Sequence, residues 1–209
     1  MKKKQLLLLS ALLVIGVLGF SIRSPRIRQS ELRHDISDTP EAKEIIRTMQ
    51  RAYDIEAEAA YTFDLKKFPT VFINDPRFPV SPGTLKTIRQ LTNNPSLESA
   101  GWLDYKIAYY SWSSGAILKG EELKKKAKSE NRSLTEEEKQ SLTDPQGRTA
   151  PARPEGAIRK NPVMFISMDI NDDVATVIVD DGPMTVRLIL VLVDKQWYIT
   201  AYKGLSVHP

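Results

Sequence analysis

The chain contains no cysteine. That excludes disulfides, thiolate-held metals, a cysteine nucleophile and a lipid-bearing thiol. Histidine is nearly absent: His34 and His208 are the two present. They make no zinc-binding pattern, and their positions, one near the start and one beside the last residue, do not suit a Ser-His-Asp relay. The ten glycines are scattered, so no glycine-rich loop is available to cradle a phosphate. No cofactor and no metal is expected.

A cationic domain is also lacking, although the net charge of +4 and the pI near 9.2 suggest one. Residues 1–30 hold Lys2, Lys3, Lys4, Arg23, Arg26 and Arg28 and no acid, which takes the +4 of the whole chain to −2 for residues 31–209. A mildly acidic body has no field to draw in phosphates, so nucleic acid is not an expected partner.

What is present begins with a leader. Behind the basic head, residues 6–20 form an uncharged apolar run of fifteen, extended to seventeen by Ser21 and Ile22. A helix of that length spans roughly 25 Å, the short limit for a bilayer core. Two outcomes are compatible with it: a secretory signal cleaved near Gly19 or Ser21, or a retained anchor. The retained anchor is preferred, because no A-x-A pattern precedes a cleavage point. Residues 1–22 are therefore read as signal or membrane anchor, with 6–22 in the membrane, and 23–38 as a polar tether. The body, 39–209, is expected outside the cytoplasm, or secreted if the leader is cut.

Thr39-Pro40-Glu41 is a helix start: a capping threonine, a proline in the first turn and an acid at the positive end. Ile45, Ile46, Met49, Ala52, Tyr53, Ala57 and Ala60 recur at helical spacing and predict one apolar stripe on a helix to about Thr62. A short helical turn over 63–69 and a short β-prone run, Thr70-Val71-Phe72-Ile73, follow, the latter stopped by Asn74-Asp75-Pro76. Residues 84–91 suit a short helix. Helical spacing resumes from Ser96 with Leu97, Trp102, Leu103, Tyr105, Ile107, Ala108, Tyr109 and Trp112. The charged stretch 120–139 favours helix, and Thr135 with Glu138 makes a capping box. Residues 144–162 carry four prolines and two glycines and predict a long loop. A charged insertion at about 120–161 results.

The last quarter predicts four strands, 163–169, 174–179, 184–193 and 196–202, separated by short polar turns that suit antiparallel hairpins. Alternation puts Met164, Ile166 and Met168 on one face, and Met184, Val186, Leu188, Leu190 and Leu192 on one face with Thr185 and Arg187 opposite. It also sets Trp197, Ile199 and Ala201 against Tyr198, Thr200 and Tyr202. The apolar face requires cover, which the upstream helices supply. The expected class is α+β, with N-terminal helices packed on a curved, mostly antiparallel sheet and a single hydrophobic anchor helix in front. Asp169, Asn171, Asp173 and Asp180 have the spacing of a calcium loop, but Val174 stands where that loop needs glycine. The segment is read as a hairpin turn.

Taken together, the helix ending Ala-Tyr-Thr-Phe-Asp-Leu, the run Val71-Phe72-Ile73 with Asn74-Asp75-Pro76, and the close of the chain resemble one family. That close is Asp173-Val174-Ala175-Thr176-Val177, then Arg187-Leu188-Ile189-Leu190-Val191, then Lys195-Gln196-Trp197-Tyr198-Ile199. Over about 40–204 the chain resembles the cone-shaped superfamily of nuclear transport factor two, ketosteroid isomerase and polyketide cyclases. The resemblance implies a cone whose interior holds a pocket, with a carboxylate base there in the enzymes. By helix position the acids to consider are Asp54, Asp64 and Asp104, with Tyr53, Tyr109 and Trp112 nearby. None matches a catalytic motif of the family, so no residue is assigned a catalytic role. Tyr53, Asp104, Tyr109 and Trp112 stand as pocket candidates. The resulting expectation is a membrane-tethered extracytoplasmic binding or assembly module, with other envelope proteins as partners and a homodimer through the sheet as a further expectation. The alternative is a small-molecule enzyme working by acid–base chemistry on a carboxylate in the cone.

Overall fold

The computed structural model describes residues 38–157 and 163–207. Helix α1, Pro40–Thr62, opens as its sequence dictates: Thr39 Oγ1 accepts from the Ala42 N–H at 3.1 Å, and Pro40 takes the first turn. It closes at Phe63, which donates its N–H to Ala59 O and turns the chain out of the helix through a left-handed φ of 64°. A 3-10 turn, Phe68–Thr70, is followed by α2, Pro82–Leu91, with Ser81 capping the Thr84 N–H. Helix α3, Trp102–Ser129, runs on through the first ten residues of the charged stretch, and α4, Glu136–Gln140, follows. The strands are β1, Met164–Asn171, β2, Val174–Asp180, β3, Met184–Val193, and β4, Gln196–Val207.

The strands form one sheet in the order β1-β2-β3-β4, each pair antiparallel. The turn between β3 and β4 holds Asp194 and Lys195 at φ of 50° and 68°. Two successive left-handed residues give the tight hairpin that matches strand twist. Helices and sheet share one core. Ile45, Met49, Ala52 and Ile55 of α1 and Trp102 of α3 pack with Ala175, Val177, Val179, Val186, Leu188, Leu190, Trp197 and Ile199. The architecture is α+β, helices on a four-stranded antiparallel sheet.

Several expectations are corrected in detail. The stripe of α1 is Ala42, Ile45, Thr48, Met49, Ala52, Ile55 and Ala59. It follows Ile55 and Ala59, where the sequence suggested Ala57 and Ala60, because the buried face stays in register with Met49 and Ala52. Residues 70–73 contribute one parallel bridge, Phe72 to Ile199, with Ile199 N–H donating to Val71 O at 2.9 Å and Ile73 N–H to Ile199 O at 3.1 Å.

Simple alternation fails at bulges, two of which move the faces the sequence assigned, since an extra residue shifts them by one. Ile166 opposes nothing on β2, so Phe165, not Met164 or Ile166, joins Met168 and Ile170 toward the core. Thr200 opposes nothing on β3, so Tyr202 lies on the core side with Trp197 and Ile199. At the end of β3, Leu192 is exposed and Val191 is buried, the reverse of expectation.

The membrane expectation is also corrected. No described helix is long and apolar enough to cross a membrane. The expected anchor, residues 6–22, and the tether up to residue 37 lie outside the described residues, as do His34, His208 and residues 158–162. The structure lends a transmembrane or signal-anchor segment no support.

Candidate functional site

The interior between α1, α3 and the sheet is not purely apolar. Glu56 stands one turn after Ala52 on the buried side of α1, and Lys106 stands one turn after Trp102 on α3. The Lys106 ammonium ion-pairs with the Glu56 carboxylate, with side-chain exposures of 13% and 18%. Tyr110, one turn further along α3, donates its hydroxyl to Glu56 Oε2 at 3.2 Å. Three rings close around the ammonium: Lys106 Nζ lies 5.1 Å from the Trp102 centroid, 5.3 Å from Phe72 and 5.9 Å from Tyr202.

These rings hold one another. Trp102 and Tyr202 stack at 5.3 Å and 4°, Trp102 and Tyr105 at 4.9 Å, and Phe68 meets Phe72 and Tyr110 edge-on. A desolvated ammonium is costly unless compensated. Here the carboxylate supplies the counter-charge, and the negative ring faces supply cation–π attraction. Trp102 Nε1 is buried beside this group with no hydrogen-bond partner among the described residues.

The four pocket candidates part company. Tyr53 packs against the core cluster from α1. The Asp104 carboxylate accepts from the Gly101 N–H at 3.0 Å and thereby caps α3, so it is not a pocket acid. Tyr109 stacks on Tyr105, meets Tyr110 edge-on and carries Arg148 5.5 Å above its ring. Burial pushes its phenol above the ordinary value, against the pull of the Arg148 guanidinium. Trp112 lies 5.9 Å from Tyr109 and lines an open cleft. Of the other acids, Asp54 is exposed, and Asp64 is exposed with Oδ1 accepting from the Lys66 N–H.

Sequence reasoning passed over Glu56 and Lys106. A signal was available: both sit at i+4 from a core residue, on the stripe that α1 and α3 turn inward, where a charge requires a partner.

Two open cavities lie further along α3. One, about 820 Å³, runs between the second half of α3 and residues 134–153, with Ile117, Leu134 and Leu142 as apolar lining and Glu121, Lys124 and Arg153 among its charges. The other, about 510 Å³, includes Gln90, Trp112, Gln140 and the turn at 143–147.

That turn is held by Asp144, whose side chain is fully buried against Arg148 Nε at 2.7 Å. Its carboxylate also accepts from the Gln146 and Arg148 N–H groups. Burial pushes the Asp144 carboxyl up, but these donors outweigh burial and leave it below the usual range. Elsewhere, Arg77 grips Asp75 and reaches Asp173 in the β1–β2 turn at 2.8 Å. The calcium-like spacing is thus a hairpin turn with one acid already paired. Among the described residues no group of three His, Asp or Glu could hold a metal ion.

No family model, no curated protein and no solved structure matches this chain.

Proposed function

We propose that the chain is a non-catalytic binding or assembly module on a cone-like fold of the nuclear transport factor two kind. The observation that carries the reading is the state of the interior. An enzyme of the ketosteroid isomerase type needs a free carboxylate facing a substrate-sized void. The carboxylate inside this fold, Glu56, is engaged by Lys106 and Tyr110, and three rings surround the ammonium. Asp54 and Asp64 face outward, and Asp104 is bound to a helix end. In this reading the Glu56–Lys106 pair and its rings stand where that chemistry would need a free acid.

The partner surface in this reading is the sheet face turned away from the helices. Register places Thr176 and Ile178 of β2, Arg187 and Ile189 of β3 and Tyr198 of β4 there. Most are half-buried, and Arg187 is exposed. A second copy, or another protein, would cover that face. The membrane-tethered, extracytoplasmic part of the expectation rests on residues outside the described ones and forms no part of this reading.

The test is site-specific photo-cross-linking of the full chain in its own cells, with the reactive group at Ile178 or Ile189. Discrete cross-linked species, identified by mass spectrometry as a second copy or one defined protein, are the expected result. Monomer alone from both positions contradicts the reading.

A further inference from the structure

The cleft at Trp112 has a chemistry of its own. It lies where the end of α2, the middle of α3, the end of α4 and the turn at 143–147 meet, and measures about 510 Å³. That is within the range of small-molecule sites, roughly 300–1,000 Å³. Its walls are fixed. Gln146 Nε2 donates to Thr87 Oγ1 of α2 at 2.7 Å, and the Asp144–Arg148 pair locks the turn from beneath. Trp112 is braced by Tyr109 at 5.9 Å, which is itself stacked on Tyr105.

The lining presents no free charge. Asp144 is its one ionised residue, and that carboxylate is buried and satisfied. Three polar groups are uncommitted: the Gln90 and Gln140 carboxamides and the Trp112 indole N–H make no hydrogen bond among the described residues. Each carboxamide offers two donors and an acceptor.

These facts select a ligand class. An ion would find no counter-charge. A wholly apolar molecule would strip water from two carboxamides and return no hydrogen bond, a net cost. A sugar ring satisfies both halves. Its C–H face is weakly positive and stacks on the negative face of an indole, and its hydroxyls pair with carboxamides. We propose that this cleft binds a neutral saccharide, with Trp112 stacking on the sugar ring and Gln90 and Gln140 hydrogen-bonding its hydroxyls. The site shares no residue with the Glu56–Lys106 group or with the sheet face, so it stands whether or not the assembly reading does.

The three tryptophans make the test specific. Trp102 and Trp197 are buried, at 8% and 3% exposure, and serve as internal controls for Trp112. The full chain, labelled with ¹⁵N-tryptophan, is titrated with maltose, cellobiose and N,N′-diacetylchitobiose, and with benzoate as a charged aromatic comparison. The expected result is a saturable shift of the Trp112 indole signal with at least one disaccharide, the other two indoles staying in place. Gln90 and Gln140 are exposed, so the Gln90→Ala/Gln140→Ala variant keeps the fold, and it should weaken binding about tenfold for two lost hydrogen bonds. The proposal is overturned if no disaccharide gives a saturable Trp112 shift, if all three indoles move together, if benzoate binds as well as the sugars, or if the double variant binds like the parent.

Discussion

Asn74 provides the N-cap side chain of a helix to which it does not belong. Helix α3 begins after Gly101, which has no side chain to offer. Asn74 Oδ1 accepts from the Asp104 N–H at 3.3 Å, the bond an N-cap serine or threonine would make, while Asp104 Oδ2 returns the other half of the box to Gly101 N–H. The space is already taken: a Cβ at position 101 would lie 2.2 Å from Asn74 Oδ1 and 2.5 Å from Asn74 Cβ. Glycine is required here by that close approach, not by its backbone angle, since φ is −111°.

Gly101→Ala is therefore expected to destabilise the protein by about 2 kcal/mol, as overpacking does. Asn74→Ala should cost about 1 kcal/mol through the lost cap. Urea denaturation followed by circular dichroism measures both. A Gly101→Ala variant as stable as the parent would show that the loop yields and the fit is loose.

Lys106 and Glu56 should couple strongly. Lys106→Met leaves a mostly buried carboxylate without its counter-charge and is expected to cost about 2–3 kcal/mol, somewhat below a fully buried pair because both groups keep some solvent contact. Glu56→Gln keeps a neutral acceptor but removes the counter-charge of the ammonium, and should cost about 2 kcal/mol. The double variant should cost less than the two together, with a coupling of about 1–2 kcal/mol in a double-mutant cycle. Additive effects would mean the pair is not an energetic unit.

Glu138 is expected to respond to acid. Hydrogen bonding from Arg132, then from the Thr135 N–H, pulls its carboxyl from 4.5 to about 2. A carboxyl lowered on folding contributes stability that is fully present above its unfolded value and disappears as pH falls through its folded one. Thus α4 and its capping box should loosen between about pH 4.5 and pH 2, read as faster amide exchange at Glu138. Arg132→Gln should move the Glu138 titration back toward its ordinary value.

Asp144 has the same sign. Its carboxyl is held below the usual range against burial by Arg148 and by two backbone donors, so acid should release the turn at 143–147. Asp144→Asn is expected to cost about 1–2 kcal/mol through weaker hydrogen bonds. The Trp112 indole signal should shift as the cleft wall loosens, and an unchanged spectrum would show that the turn is held by other contacts.

The elements were legible because their signals are short-range. Thr39-Pro40 opens α1, Thr135 and Glu138 make the capping box of α4, and polar turns mark off four strands. Each depends on residues within four positions of one another, where backbone sterics and local hydrogen bonds act. Of the pocket candidates, Trp112 lines a cleft, while Asp104 is drawn into a cap that depends on Asn74, thirty positions earlier.

The sequence by itself determined the kind and order of elements, the α+β class, and the absence of cysteine chemistry. Tertiary structure decided which way the side chains face and which charges meet. The bulges at Ile166 and Thr200 exist only against a partner strand, and each turns the following residues to the other face. Glu56 and Lys106 are fifty positions apart, and the helical spacing of each shows that it needs a partner but not which one. Their pairing requires α1 and α3 to be packed on one sheet, which no window along the chain contains.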